Sequence, residues 1–101
     1  MSAAGGGRLW IRLVKGHRTL RDVTVPCTRD DPREALRLGL KQLDLSQPVW
    51  LRRHQADWEQ YALTRFTPEH FVEPVAFERM EISYIYAEGE KKARREPEEI
   101  W

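Results

Sequence analysis

The stretch TRFTPEHF, residues 64–71, gathers Thr, Arg, Glu and His within a few positions and brackets them with two phenylalanines. A catalytic reading would use His70 as general base, oriented by Glu69 or Glu73. The nucleophiles near it in sequence are Thr64 and Thr67, and no glycine-rich or oxyanion-type turn accompanies them. The same residues spell a helix start: Thr67 as hydroxyl cap, Pro68 in the first position, Glu69 near the positive end of the dipole. On that reading Phe66 and Phe71 drop into the core on either side of a corner. His70 is then a polar surface or bridging group that the turn does not need. The sequence favours the corner, and no catalytic residue is expected.

The remaining histidines, His17 and His54, and the one cysteine, Cys27, have no C-x-x-C or H-x-x-x-H spacing. No metal site is expected from them. Cys27 reads as a small apolar residue at a strand end. Gly5–Gly7 neither follow a strand nor open a helix, so they are not a phosphate cradle. No cofactor is expected.

A different chemistry crowds the first third of the chain. Arg8, Arg12, Lys15, His17, Arg18 and Arg21 lie close together, with Trp10 among them. Basic groups with an interleaved aromatic suit a nucleic-acid backbone and its bases. They equally suit a protein interface, where Trp and Arg are favoured anchors. Net charge bears on the choice. The chain carries +1 overall, but residues 1–53 carry +6 and residues 54–101 carry −5. Dedicated nucleic-acid domains are usually basic overall. The asymmetry therefore favours halves that neutralise each other, within one fold or across a dimer.

The elements that position these groups follow from periodicity. A flexible glycine-rich leader is expected over 1–8 and a single α+β domain over 9–86. A charged, disordered tail follows over 87–101. LWIRLVK (9–15) and TLRDVTVPC (19–27) form a hairpin. A two-residue loop at Gly16–His17 would set Arg12 against Arg21, a repulsive pair. A three-residue loop, Gly16–Arg18, sets Arg12 against Asp22, Ile11 against Val23, Leu9 against Val25 and Val14 against Leu20, and is preferred. Leu9, Ile11, Leu13, Val23 and Val25 then share one face. Trp10, Arg12, Val14, Leu20, Asp22 and Thr24 share the other.

Asp31-Pro32-Arg33-Glu34 opens a helix with a capping box, and Ala35, Leu36, Gly39, Leu40 and Leu43 make its apolar stripe. Gly39 on that stripe implies close approach to the sheet. Pro48–Leu51, PVWL, reads as a third strand. Residues 56–63 read as a weaker second helix, with Trp58, Tyr61 and Ala62 on one side. Residues 79–86, RMEISYIY, alternate as a fourth strand with Met80, Ile82, Tyr84 and Tyr86 inward. The expected order is ββαβ(α)β, a four-stranded sheet packed on one main helix. Its second face would expose Trp10, Val14 and Leu20, joined by Trp50 and Ile85, which is too much apolar surface to leave wet.

The pattern L9-W10, R12, H17, R21-D22, D31-P-R-E-A-L36, P48-V-W50-L51, R65-F66-T67 with H70-F71, and F77 with M80-E-I-S-Y84 resembles a family of short uncharacterised proteins of Clostridia-like Gram-positive bacteria. The resemblance spans residues 9–86, and F-T-x-x-x-F is its most distinctive segment. It implies a bacterial, cytoplasmic protein and carries no activity, substrate or cofactor.

The lone cysteine fits a reducing cytoplasm, and no apolar run approaches the roughly 18 residues that span a bilayer. The sequence thus points to a non-catalytic module that binds a protein partner or a second copy of itself through Trp10, Arg12, Arg18, Arg21 and Trp50. The alternative is a nucleic-acid binder using the basic hairpin 8–21. An enzyme built on His70 is the remotest of the three.

Overall fold

The computed structural model describes residues 7–87. Within them the order is β1 (Arg8–Lys15), β2 (Arg18–Pro26), α1 (Pro32–Gln42), α2 (Arg52–Tyr61), β3 (Leu63–Phe66), a 3-10 turn (Pro68–His70) and β4 (Arg79–Ile85). The four strands form one sheet in the order β2-β1-β4-β3. Every neighbouring pair is antiparallel. The result is an α+β domain, a sheet with both helices on one side. Most of the residues expected to form the leader and the charged tail, 1–6 and 88–101, lie outside the described residues. Gly7 and Arg8, expected at the end of the leader, belong to the fold: Arg8 opens β1, and the Gly7 carbonyl accepts the Cys27 N–H.

Alternation in β1 and β4 sorts the two faces. Leu9, Ile11, Leu13, Met80, Ile82 and Tyr84 are buried beneath the helices, together with Val25 and Phe66. α1 packs over β1 and β2, and α2 over β3. The apolar stripe of α1 is buried as its spacing requires. At Gly39 the helix comes so close to β1 that a Cβ would overlap the Ile11 side chain, which accounts for a glycine in mid-helix. Trp58 of α2 is buried, reaches Tyr84 edge-on and donates its indole N–H to the Arg29 carbonyl at 2.8 Å. That bond ties the loop before α1 to the second helix. The sheet is therefore shared by two helices rather than resting on one.

The hairpin reconciles two geometries that look exclusive in the sequence. The turn has two residues, Gly16–His17, with Lys15 opposite Arg18. Gly16 supplies the positive φ (62°) that such a turn requires. Yet the pairings argued for the three-residue loop hold from Leu9 to Arg12: Leu9 with Val25, Ile11 with Val23, Arg12 with Asp22. The difference is taken up by a bulge. Leu13 pairs with Arg21 and Val14 with Thr19, leaving Leu20 as the extra residue, exposed on the edge strand. The expected Val14–Leu20 pair is thus replaced.

Three further expectations are corrected. Pro48–Leu51 is not a strand. It is an extended lead-in to α2, held by a bond from the Val49 N–H to the His70 carbonyl at 2.9 Å. The fourth ladder position belongs to Leu63–Phe66, so the first three residues of TRFTPEHF lie in an edge strand. α2 begins at Arg52, four residues earlier than expected, and stops at Ala62, whose left-handed backbone (φ 61°) releases the chain into β3. The expected box at the start of α1 is not made either. Asp31 forms no side-chain cap, and Glu34 bonds Arg37 one turn along.

Candidate functional site

Two places gather polar side chains: a corner beneath the sheet, and the sheet's outer face. The corner is built by two histidines in equivalent positions. His54 is the third residue of α2, and its Nδ1 accepts the Leu51 N–H at 2.9 Å. His70 is the third residue of the 3-10 turn, and its Nδ1 faces the Thr67 N–H at 3.0 Å. Each imidazole thus reaches back to the backbone N–H at the cap position, a task more usually done by Glu or Gln. His70 is buried, not a surface group, and the turn does need it. This corrects the expectation drawn from the sequence. Phe66 and Phe71 are buried on either side, as the corner requires.

Packing locks the two rings together. They meet edge to face at 4.8 Å between centroids, and His54 stacks on Phe66 at 4.2 Å. With Nδ1 of His54 accepting, its proton sits on Nε2, which is enclosed and has no hydrogen-bond partner. Burial, then His70 and Arg53, push this imidazole down from its ordinary 6.5 to about 4, against the upward pull of Asp57 and the Arg65 carbonyl. The Arg65 carbonyl acts here through its dipole without completing a bond to Nε2. At His70, Arg53 approaches Nε2 to 2.8 Å while Thr67 occupies the Nδ1 side through both its N–H and its hydroxyl. A neutral imidazole has one acceptor nitrogen, so two N–H donors compete for it across two tautomers. Neither histidine bonds a carboxylate among the described residues, and His54 is enclosed. The corner has the chemistry of a joint.

The outer face has a different construction. Antiparallel pairing sets Asp22, Arg12, Glu81 and Arg65 side by side across β2, β1, β4 and β3, a row of alternating charge. The neighbouring row runs Thr24, Trp10, Ser83, Leu63. Arg12 is opposite Asp22 in register, but its guanidinium bonds Glu81 on its other side. Asp22 instead accepts the Trp10 indole N–H at 2.8 Å, and Arg12 lies over the Trp10 ring at 4.7 Å. Arg79 donates Nε to the second oxygen of Glu81 at 2.7 Å. Burial pushes the Glu81 carboxyl up, but the bonds and charges of Arg79 and Arg12 outweigh it and hold the carboxyl below its ordinary range. A cavity of about 350 Å³ opens among these groups, lined by Arg12, Arg65, Arg79, Glu81, Leu63 and Ser83 together with Thr64 and Ile82.

Of the residues expected to contact a partner, Trp10 and Arg12 therefore lie together on this face. Arg18 is exposed at the end of the hairpin. Arg21 points the other way, its guanidinium donating to the Leu43 carbonyl at 3.3 Å where α1 ends. Trp50 does not join Trp10 on the outer face. It packs on the opposite side of the sheet, against Phe66 and His54, with its indole N–H on Gln55. Val14, also expected on the wet side, is buried. Sequence reasoning missed Arg65, Arg79 and Glu81. Glu81 was legible as an outward position of the last strand, but its arginine neighbours follow from strand order alone.

No family model, curated protein or solved structure matches the chain. Among the described residues no group of His, Cys, Asp and Glu side chains is arranged to hold a metal ion, and no helix is long and apolar enough to cross a membrane.

Proposed function

We propose that this chain is a non-catalytic interaction module that engages a protein partner, a second copy of itself included, through the outer face of its sheet. One observation carries the reading. Both helices pack on the inner face, while the outer face presents Trp10, Arg12, Arg65, Arg79 and Glu81 around a cavity. A half-buried tryptophan beside arginines is the usual make-up of an interface anchor. The chemistry at His70 points away from an enzyme, because that ring serves the backbone of its own turn.

Light scattering and cross-linking of the purified chain, alone and in native-host extract, test this. Trp10→Ala and Arg12→Ala should each abolish the assembly that the parent chain forms. A parent chain that stays monomeric and captures nothing sensitive to these two changes would remove the proposal.

A second reading, nucleic-acid binding by the hairpin 8–21, is supported by the exposure of Lys15, His17 and Arg18 at its tip. It predicts affinity for single strands that falls steeply with salt.

A further inference from the structure

We infer that the partner seated on the outer face is a second copy of this chain, packed sheet against sheet, with the Trp10 of each copy in the cavity of the other. The inference rests on the proposal that this face is the interaction surface. Its starting point is a symmetry in the charges. From β2 to β3 one row runs Asp22, Arg12, Glu81, Arg65. Taken from β3 to β2, every sign in it is reversed. A two-fold axis parallel to the strands, passing between β1 and β4 in the plane of the interface, turns the row over in this way. It sets Asp22 against Arg65 of the second copy, and Arg12 against Glu81 of the second copy. Only the sign of each charge enters, so the interactions these groups already make within one chain can stay in place. An axis laid along the row would instead stack each charge on its own copy. The flanking rows add no conflict. Arg8 is level with Ile85, and Arg79 with Val14, so the first axis sets each arginine against an apolar residue.

Shape follows the same axis. Trp10 and Ser83 are opposite each other in β1 and β4, so the axis sets the Trp10 ring of one copy over Ser83 of the other. A large side chain thereby meets a small one. The lining of the cavity comes from β3 and β4, with Arg12 alone from β1, and Trp10 is not part of it. The hollow and the ring that would fill it therefore stand on opposite halves of one face. Its volume of about 350 Å³ is that of a small ligand pocket, room enough for an indole. Sheets packed face to face interdigitate their side chains in this manner across about 10 Å. The ring is also held ready for docking. Its N–H is on Asp22 at 2.8 Å and Arg12 lies over it at 4.7 Å, so little side-chain freedom is lost. A patch that complements itself about a two-fold axis is what an isologous dimer requires. Trp10 supplies the anchor, and the charged row fixes the orientation.

Exchange of charge tests the axis. Sedimentation equilibrium of the purified full chain, up to millimolar concentration, should show a dimer. Arg12→Glu and Glu81→Arg each set like charges together across the axis, and each should weaken that dimer roughly tenfold or more. An equimolar mixture of the two variants should associate more tightly than either does alone. There the new acid of one variant meets the new base of the other, and the untouched Glu81 and Arg12 meet in the same way. Ser83→Phe fills the hollow from within and should leave a monomer. Circular dichroism and thermal melting check that each variant folds. Ser83→Phe changes no charge and keeps the test standing if a charge variant does not fold.

The inference is overturned by a parent chain that is monomeric at millimolar concentration, by a dimer that the folded Ser83→Phe variant forms unchanged, or by a mixture of folded charge variants that associates no better than each alone. Failure here is separable from failure of the wider proposal. If the parent chain is a monomer but captures from native-host extract a protein that Trp10→Ala loses, the second copy falls and the interaction face stands. If neither is seen, both fall.

Discussion

The two faces of this sheet use the same kinds of side chain to opposite ends. Beneath it, His54 and His70 are closed in by Phe66 and by each other, and their Nδ1 atoms are spent on the backbone at Leu51 and Thr67. Above it, Arg12, Arg79 and Glu81 bond one another at a half-exposed surface, with donor capacity to spare. Burial decides the difference. A buried polar group finds its partner inside the fold or goes without, as Nε2 of His54 does, at a cost of about 1–3 kcal/mol. A half-exposed one can have water as its partner until something better arrives. The corner therefore reads as structure and the outer face as readiness, although TRFTPEHF looks the more catalytic of the two in the sequence.

The largest expected effect tests that contrast directly. Phe66→Ala removes a fully buried ring that carries the stacked His54 and should cost about 3–5 kcal/mol in urea unfolding. Trp10→Ala removes a larger side chain from the outer face, with one hydrogen bond and one cation–π contact, and should cost only about 1 kcal/mol. A Trp10 variant as unstable as the Phe66 variant would mean that the outer face is core, and the contrast would break.

Acid separates the faces next. His54 is held neutral, with a folded value near 4 against an ordinary 6.5. As pH falls below about 6.5 the unfolded chain takes up a proton that the folded chain refuses. Stability should drop steadily to about pH 4 and then level off for this group, a loss of roughly 3 kcal/mol. Glu81 is shifted the other way. Its folded value is depressed, so its contribution is present above the ordinary carboxylate range and disappears only as pH falls through the lowered value. His54→Gln isolates the first window, since Gln at this position can still reach back to the Leu51 N–H and does not titrate. Denaturant unfolding from pH 7 to 4 should lose its slope in that variant. An unchanged slope would assign the acid sensitivity elsewhere.

Much of this was legible from spacing, and the reasons it stops being legible are physical. Alternation in 9–13 and 80–84 gives the buried face directly, because a strand turns every second residue inward. The α1 stripe and its close glycine follow from the helical period. LTRF was missed because four residues are too few to show a period, while PVWL, richer in strand-forming residues, has a proline that cannot donate. The bulge at Leu20 was hidden because turn length and register were treated as one variable. The histidine caps left a faint signal: L-x-x-H and T-x-x-H place an acceptor three residues after each cap. The row Asp22–Arg12–Glu81–Arg65 is half visible, since Arg12 opposite Asp22 follows from the hairpin alone. The rest depends on β4 inserting between β1 and β3, an ordering set by how two helices share one sheet.

The smallest expected effect in stability is the most informative about function. Glu81→Gln takes the charge from a half-exposed cluster and leaves Arg12, Arg65 and Arg79 around a neutral amide. Exposed and half-exposed ion pairs contribute little, so the loss should stay below about 1 kcal/mol and shrink further in salt. The same change should alter any assembly formed through this face, whereas at the histidine corner a polar substitution acts on stability alone. Thermal melting and light scattering of this one variant, at low and at high salt, therefore decide whether the outer face is a surface network that binds nothing or the interaction surface.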